Sequence, residues 1–146
     1  MADLAEGEVF KTGLAHITVI PWFVVEDDQQ LTKVFHQQFE QTKSFNVHLG
    51  SKVMFGPKKD VPAILVTATP EILRIHHLAL DLMDKVGARW AVKHPHASKD
   101  YVPHIRLREG FKFREGKEIE LTSLILVRAA RKEDNIRHVM AEVVFK

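Results

Sequence analysis

Two short stretches of the chain pair a histidine with a polar residue two positions later: His16-Ile17-Thr18-Val19 and His104-Ile105-Arg106-Leu107. Each is followed by a Phe seven positions after the His, Phe23 and Phe111, and the two histidines are 88 residues apart. Both stretches read as strands. Side chains alternate across a strand, so His16 and Thr18 share one face while Ile17 and Val19 share the other, and His104 and Arg106 oppose Ile105 and Leu107 in the same way. Two aliphatic backs call for burial and two polar fronts are left to meet. Imidazole titrates near pH 6.5, so a facing pair supplies one base and one acid at neutral pH. Phosphodiester hydrolysis needs both, because the attacking hydroxyl loses a proton and the leaving oxygen gains one. The charge that builds on the non-bridging oxygens needs fixed donors. Thr18 and Arg106 are the candidate phosphate-binding residues, and His16 and His104 the candidate catalytic pair.

Aromatic residues flank both stretches. Trp22 and Phe23 follow the first and Tyr101 precedes the second, which makes Trp22 and Tyr101 candidates for stacking on a nucleobase, with Phe23 expected in the packing. Outside the repeat, the same residues have plainer readings: His16 and His104 as half-buried sheet histidines, Thr18 as a β-branched strand residue, Arg106 and Arg108 as a solvated basic face. His94 and His96 lie in a loop before the second stretch, and His76 and His77 are neighbours on a helix. Adjacent helical residues point about 100° apart and no cysteine or carboxylate stands at ligand spacing, so no metal site is expected. His36, His48 and His138 stand without a constellation.

The elements that must carry these residues alternate between a period of two and a period near 3.6, which predicts a mixed α and β domain. A strand is expected over Ala15–Ile20, stopped by Pro21. Asp27 and Asp28 stand at the cap of a helix running to about Thr42, with Leu31, Val34, Phe35 and Phe39 on its apolar face. Runs over Phe45–Phe55 and Val61–Ala68, joined by Gly56-Pro57-Lys58-Lys59-Asp60, read as a hairpin. The second helix has Thr69 as cap, Pro70 at the first helical position, Glu71 in the first turn and Gly87 as its stop, with a core stripe of Ile72, Ile75, Ala79, Leu82 and Val86. Further strands are expected at 89–93, 102–108, 119–128 and 138–145.

With 146 residues, 45% hydrophobic, the chain is expected to form one domain, 1–146, able to bury a continuous core. Zero cysteines exclude disulfide scaffolds, thiolate zinc sites, redox pairs and a Cys nucleophile. The 21 Lys and Arg against 19 Asp and Glu give a net charge of +2, far from that of a duplex-wrapping protein but open to small anionic ligands. The chain has no apolar run of membrane-spanning length and its first residues are acidic, so a cytoplasmic location and no membrane partner are expected.

The first motif, followed by Pro21, and the second, Pro103-His104-Ile105-Arg106-Leu107, together resemble the paired His-x-Thr/Ser motifs of the 2H phosphoesterase superfamily, also called the LigT-like or 2′-5′ RNA ligase-like family. The order of elements is similar over nearly the whole chain. The resemblance implies an α+β, bilobal fold, with two pseudo-symmetric antiparallel-sheet lobes and flanking helices around a central groove lined by both motifs. It implies metal-independent, cofactor-free chemistry on phosphodiesters that involve a ribose 2′-oxygen: 2′,3′-cyclic phosphates, 2′-5′ oligonucleotides or cyclic oligonucleotide messengers. It also implies His16 as the acid and His104 as the base. The partner would be a nucleotide or short oligonucleotide, with no obligatory protein partner. Arg106 departs from the pattern, standing where the family usually has Thr or Ser. One reading gives it a forked, charge-assisted grip on phosphate; the alternative is a non-catalytic nucleotide or RNA-end binding module.

Overall fold

The computed structural model describes residues 9–11, 15–93, 95–107, 113–129 and 136–146. Phe111, Arg108 and His94 lie outside the described residues. In chain order the elements are β1 (Val9–Lys11), β2 (Phe23–Val24), α1 (Asp28–Phe39), β3 (Phe45–Phe55), β4 (Val61–Val66), α2 (Pro70–Lys85), β5 (Arg89–Trp90), a 3₁₀ turn (Ser98–Asp100), β6 (His104–Arg106), β7 (Glu118–Leu121), β8 (Ser123–Arg128) and β9 (Ile136–Val144). The fold is thus α+β, with two helices and antiparallel sheets among the described residues.

Both helices begin where side-chain caps satisfy their first amides. Asp27 Oδ1 accepts the Gln30 N–H at 3.0 Å, and Thr69 Oγ1 accepts the Ile72 N–H at 3.3 Å. Gly87, at φ 64°, supplies the left-handed residue that ends α2. α1 stops at Phe39, short of Thr42: the Thr42 N–H turns back three residues to Phe39 O at 3.0 Å, and the chain beyond pairs with Lys146, whose N–H donates to Thr42 O at 2.9 Å and whose carbonyl accepts the Ser44 N–H at 3.0 Å. The helices are tied together by Gln38, whose Nε2 donates to Leu78 O at 3.0 Å and whose Oε1 accepts from Lys85 Nζ at 2.7 Å.

Four strands form one sheet in the order β6-β4-β3-β7, three form another in the order β1-β9-β8, and β2 pairs with β5 alone. The β3–β4 hairpin is as expected, turning through Gly56 at φ 93° and Lys59 at φ 51°. The alternating run over 119–128 is not one strand. It changes sheets at Thr122, with Leu121 opposite Phe45 and Ser123 opposite Val144, while Thr122 O accepts the Phe145 N–H at 2.8 Å. β1 joins the edge of β9 and was not anticipated from the sequence. β5 is only two residues long because its partner β2 is.

The expected strand over Ala15–Ile20 is reduced to a single antiparallel bridge, Ile17 to Ile105. Its carbonyls are taken by side chains instead of a ladder: Thr18 O by the Tyr101 hydroxyl at 2.9 Å and Val19 O by His76 Nδ1 at 2.8 Å. Pro21 then removes a backbone donor.

The core lies between the helices and the sheets. Leu31, Phe35 and Phe39 of α1, the α2 stripe of Ile72, Ile75, Ala79, Leu82 and Val86, Val47 and Leu49 of β3, and Ala141 and Val143 of β9 belong to one cluster. Ile105 and Ile64 stand opposite one another in the register of β6 and β4, and both are 0% exposed. Replacing Ile105 with Ala is expected to cost about 2–5 kcal/mol, the usual range for emptying such a site. Urea denaturation measures it, and a loss under about 1 kcal/mol would take Ile105 out of the core.

Candidate active site

The Ile17–Ile105 bridge sets the geometry of the site. Its antiparallel register carries His16 across from Arg106 and Thr18 across from His104, each His facing the other motif's polar partner. The two isoleucines point inward and the four polar residues outward, as the exposure pattern shows: His16, Thr18 and Arg106 are exposed, His104 is half-buried, and Ile105 is buried. All four line one cleft of about 810 Å³, together with Trp22 and Arg137. The structure therefore brings together the residues expected to act on a phosphodiester.

His104 is held on two sides. Its Nδ1–H donates to Val102 O at 2.7 Å, and its ring stacks on Phe55 with centroids 4.4 Å apart and planes 29° apart. A carbonyl oxygen only accepts, so the proton of neutral His104 sits on Nδ1 and Nε2 carries the lone pair. Val102 owes its position to the next residue: Pro103 is buried, and its carbonyl accepts the Val66 N–H at 3.0 Å.

The first motif is anchored by His76, which is 0% exposed on the inner face of α2. Its Nδ1–H donates to Val19 O, and its Nε2 accepts the Ser98 N–H at 2.9 Å. Tyr101 lies flat on the same ring, centroids 4.0 Å apart and planes 4° apart, while its hydroxyl reaches Thr18 O. Both nitrogens of His76 are thus committed to backbone, which requires the neutral imidazole. Burial pushes its pKa down, the Val19 carbonyl opposes that shift, and His77, 5.6 Å away ring to ring, adds to it. Burial also pushes the Tyr101 phenol up, so its O–H stays a donor at ordinary pH. Among the described residues, no group of three His, Cys, Asp or Glu side chains is disposed to hold a metal ion.

Sequence reasoning singled out Trp22 and Tyr101 together, and the structure separates them. Trp22 lines the cleft, with the Arg137 guanidinium 4.7 Å from its ring centroid. Tyr101 has one ring face against His76 and stands in the frame behind the first motif. Phe23 is partly buried against the core, as expected. His96 is exposed in the loop, and exposed His48 approaches Glu118 at 3.6 Å. Two residues of the site escaped the sequence reading. The signal for His76 was its place in the stripe beside Ile72, Ile75 and Ala79, where a polar ring has to be satisfied on both nitrogens. The signal for Arg137 was its place two residues before Val139 on a strand, where alternation puts the two on one face.

The model of the 2′-5′ RNA ligase superfamily matches residues 9–110, a span that holds both histidine motifs. The chain belongs to this superfamily, the 2H phosphoesterase or LigT-like group. Compared with curated proteins, it has no match. No helix among the described residues is long and apolar enough to cross a membrane.

The His76 anchor has a pH signature. The unfolded imidazole takes a proton near pH 6.5, while the native one resists it. Its contribution to stability is intact above that pH and declines as the pH falls through it, levelling off below the lowered native value. Changing His76→Phe keeps a ring against Tyr101 but strands the Val19 carbonyl and the Ser98 amide. It is expected to cost about 1–3 kcal/mol at pH 7.5, and to flatten the decline in melting temperature between pH 7.5 and 5.5. Parallel melting curves of the two proteins across that range measure both effects; equal slopes would assign the decline to other groups.

Proposed function

We propose that the chain is a metal-independent phosphodiesterase, acting as one domain, that cleaves 2′-linked or cyclic phosphodiesters of nucleotides or short oligonucleotides. His104 acts as general base and His16 as general acid, with Thr18 and Arg106 donating to the non-bridging oxygens. The observation that carries this reading is the antiparallel pairing of the two motifs at Ile17 and Ile105, with all four polar side chains lining one cleft. Family membership supports the chemistry at the level of phosphoesters.

In the proposed reaction, a water or ribose hydroxyl gives its proton to His104 Nε2 as its oxygen bonds to phosphorus. The bond from phosphorus to the leaving oxygen breaks, and that oxygen takes a proton from His16. The hydrogen bond from His104 Nδ1–H to Val102 O supports this direction, because it leaves Nε2 with a lone pair. Arg106 replaces a hydroxyl with a charged fork, which strengthens the hold on a phosphorane-like dianion.

The two-fold pseudo-symmetry of the fold belongs to the same proposal. The local two-fold axis of an antiparallel bridge between Ile17 and Ile105 exchanges His16 with His104 and Thr18 with Arg106. Such an axis fits a two-lobed arrangement around the cleft. Arg106 also leaves room for a second reading, a nucleotide or RNA-end binding module without turnover.

The test is an EDTA-containing assay against 2′,3′-cyclic nucleotides, 2′-5′ and 3′-5′ dinucleotides and cyclic oligonucleotides, with products read by chromatography and mass. Turnover of a 2′-linked or cyclic member is expected, with each of His16→Ala and His104→Ala lowering kcat by roughly 10²–10⁴-fold. Arg106→Ala is expected to lose about 10²-fold. A histidine variant at full rate removes that residue from the mechanism, metal-reversible inhibition by EDTA overturns the metal-free chemistry, and binding without turnover selects the binding module.

A further inference from the structure

His104 stands on β6 opposite Leu65 of β4, while Phe55 ends β3 opposite Val61 of β4. The two residues are therefore four positions apart in register and two strands apart across the sheet. On a flat sheet that separation is about 13 Å along the strands and about 10 Å across them, beyond the reach of two rings. Yet the ring centroids lie 4.4 Å apart, with planes at 29°. The sheet is thus curled toward its cleft face, and the register shift between Leu49 and Lys52 is the kind of irregularity that bends a strand.

Alternation puts Phe55 on the same face as Val53, and the register of Val53 with Ala63 and of Ala63 with Arg106 makes it the face of Arg106 and His104. Between Phe55 and His104 that face carries Ala63, which is 0% exposed yet stands outside the core cluster. A methyl group there leaves room for a ring to lie across the strand. A longer side chain would stand in its path.

The ring contact supplies what the hydrogen bond of His104 leaves undone. The bond from Nδ1–H to Val102 O decides which edge of the imidazole turns away from the cleft. Rotation about the Cβ–Cγ bond of a histidine is nevertheless broad and roughly two-fold. A single hydrogen bond to a carbonyl tolerates a tilt of the ring, and Val102 is 45% exposed, so water competes for it. A flat stack has the opposite properties: it fixes the plane and is indifferent to the half-turn that exchanges the edges. The two restraints together define the direction of the Nε2 lone pair, and neither does so alone.

We propose that Phe55 is the positioning residue of the general base, holding the His104 ring plane so that Nε2 faces the attacking hydroxyl. This rests on the proposed function and deepens it, by making the end of the β3–β4 hairpin part of the site. It also restricts the approach of the substrate, because Phe55 covers one face of the imidazole and leaves its edge and its other face.

Phe55→Leu keeps an apolar side chain but removes the flat face. On whichever phosphodiester wild type turns over, it is expected to lower kcat roughly tenfold to a hundredfold with KM nearly unchanged. Phe55→Tyr keeps the ring and is expected to restore most of kcat. Val61→Ala disturbs the hairpin opposite Phe55 without touching the ring, and it is expected to keep kcat, which separates positioning from stability. A second readout needs no turnover: the ring-nitrogen signals of His104 in the labelled protein in alkaline buffer, assigned by their loss in His104→Gln. Wild type is expected to show one protonated and one unprotonated nitrogen, and Phe55→Leu to move both toward intermediate values as the second tautomer becomes populated. Phe55→Met takes the place of the Leu variant if that one does not fold. Full kcat in Phe55→Leu, a Tyr variant as slow as the Leu variant, or nitrogen signals identical in Phe55→Leu and wild type overturns the positioning role. If wild type turns over no probe, the phosphodiesterase reading fails and the nitrogen signals alone decide whether Phe55 orients His104. Histidine-dependent turnover that Phe55→Leu leaves untouched does the reverse.

Discussion

The ring of His76 joins three parts of the chain that are remote in sequence. It stands on α2, binds Val19 at the end of the first motif, and binds Ser98 ahead of the second. Tyr101 doubles the joint by stacking on that ring and donating to Thr18 O. Among the described residues, the strand segment that carries His16 has one ladder pairing, at Ile17, and these side-chain bonds help to set its course. A ladder of several residues would have fixed the segment without help. One bridge with two side-chain clasps fixes it only while His76 is neutral and Tyr101 is in place, which ties the cleft's geometry to a buried polar cluster whose every member is satisfied.

Beneath that joint the hydrophobic core does the orienting. Ile17, Ile105 and Ile64 stand in one row across the first motif, β6 and β4, and β3 continues the sheet as the other arm of a long hairpin. Burying that row turns the alternate residues outward as a set. A one-residue slip of β6 would drive His104 and Arg106 into the core and Ile105 into the cleft, so the cost of burying a guanidinium and an imidazole guards the register of the site. Packing and the geometry of the motif pair are therefore one constraint here, read from opposite faces of the same strands.

Much of this was legible in the sequence because it rests on local rules. Asp27 and Thr69 announce the helix starts, Gly87 announces a stop, and the Gly56–Asp60 stretch announces the hairpin. The two motifs were legible from spacing and alternation alone. What escaped depended on partners that the local sequence does not encode. Alternation over 119–128 says that a strand is present but not that its partner changes from β3 to β9 at Thr122. Residues 15–20 have strand propensity, yet their carbonyls go to side chains from α2 and the 98–101 segment. His76 was weighed with His77 only as a pair of metal ligands, although its neighbours at helical spacing put it on the buried face. Arg137 was hidden because a charged residue near a strand's start reads as solvated until the aromatic ring that covers it, Trp22 from a distant part of the chain, is known.

The same local two-fold relation that matches the motifs also exposes how unlike their surroundings are. His104 is half-buried, with its ring on Phe55 and Nδ1 bound to Val102 O, whereas His16 is exposed. The partners differ too, a hydroxyl at Thr18 and a guanidinium at Arg106. An acid and a base drawn from one residue type have to be told apart by their environments, and orientation is the lever that differs most between these two. The fixed tautomer of His104 suits a group that must accept a proton in one direction. The exposure of His16 suits a group that recovers its proton from solvent between turnovers. The charged fork of Arg106 stands across the bridge from His16, whereas the hydroxyl of Thr18 stands across from His104. On the proposed reading, the two motifs thus offer the phosphate two different donors, a hydroxyl on one strand and a charged fork on the other.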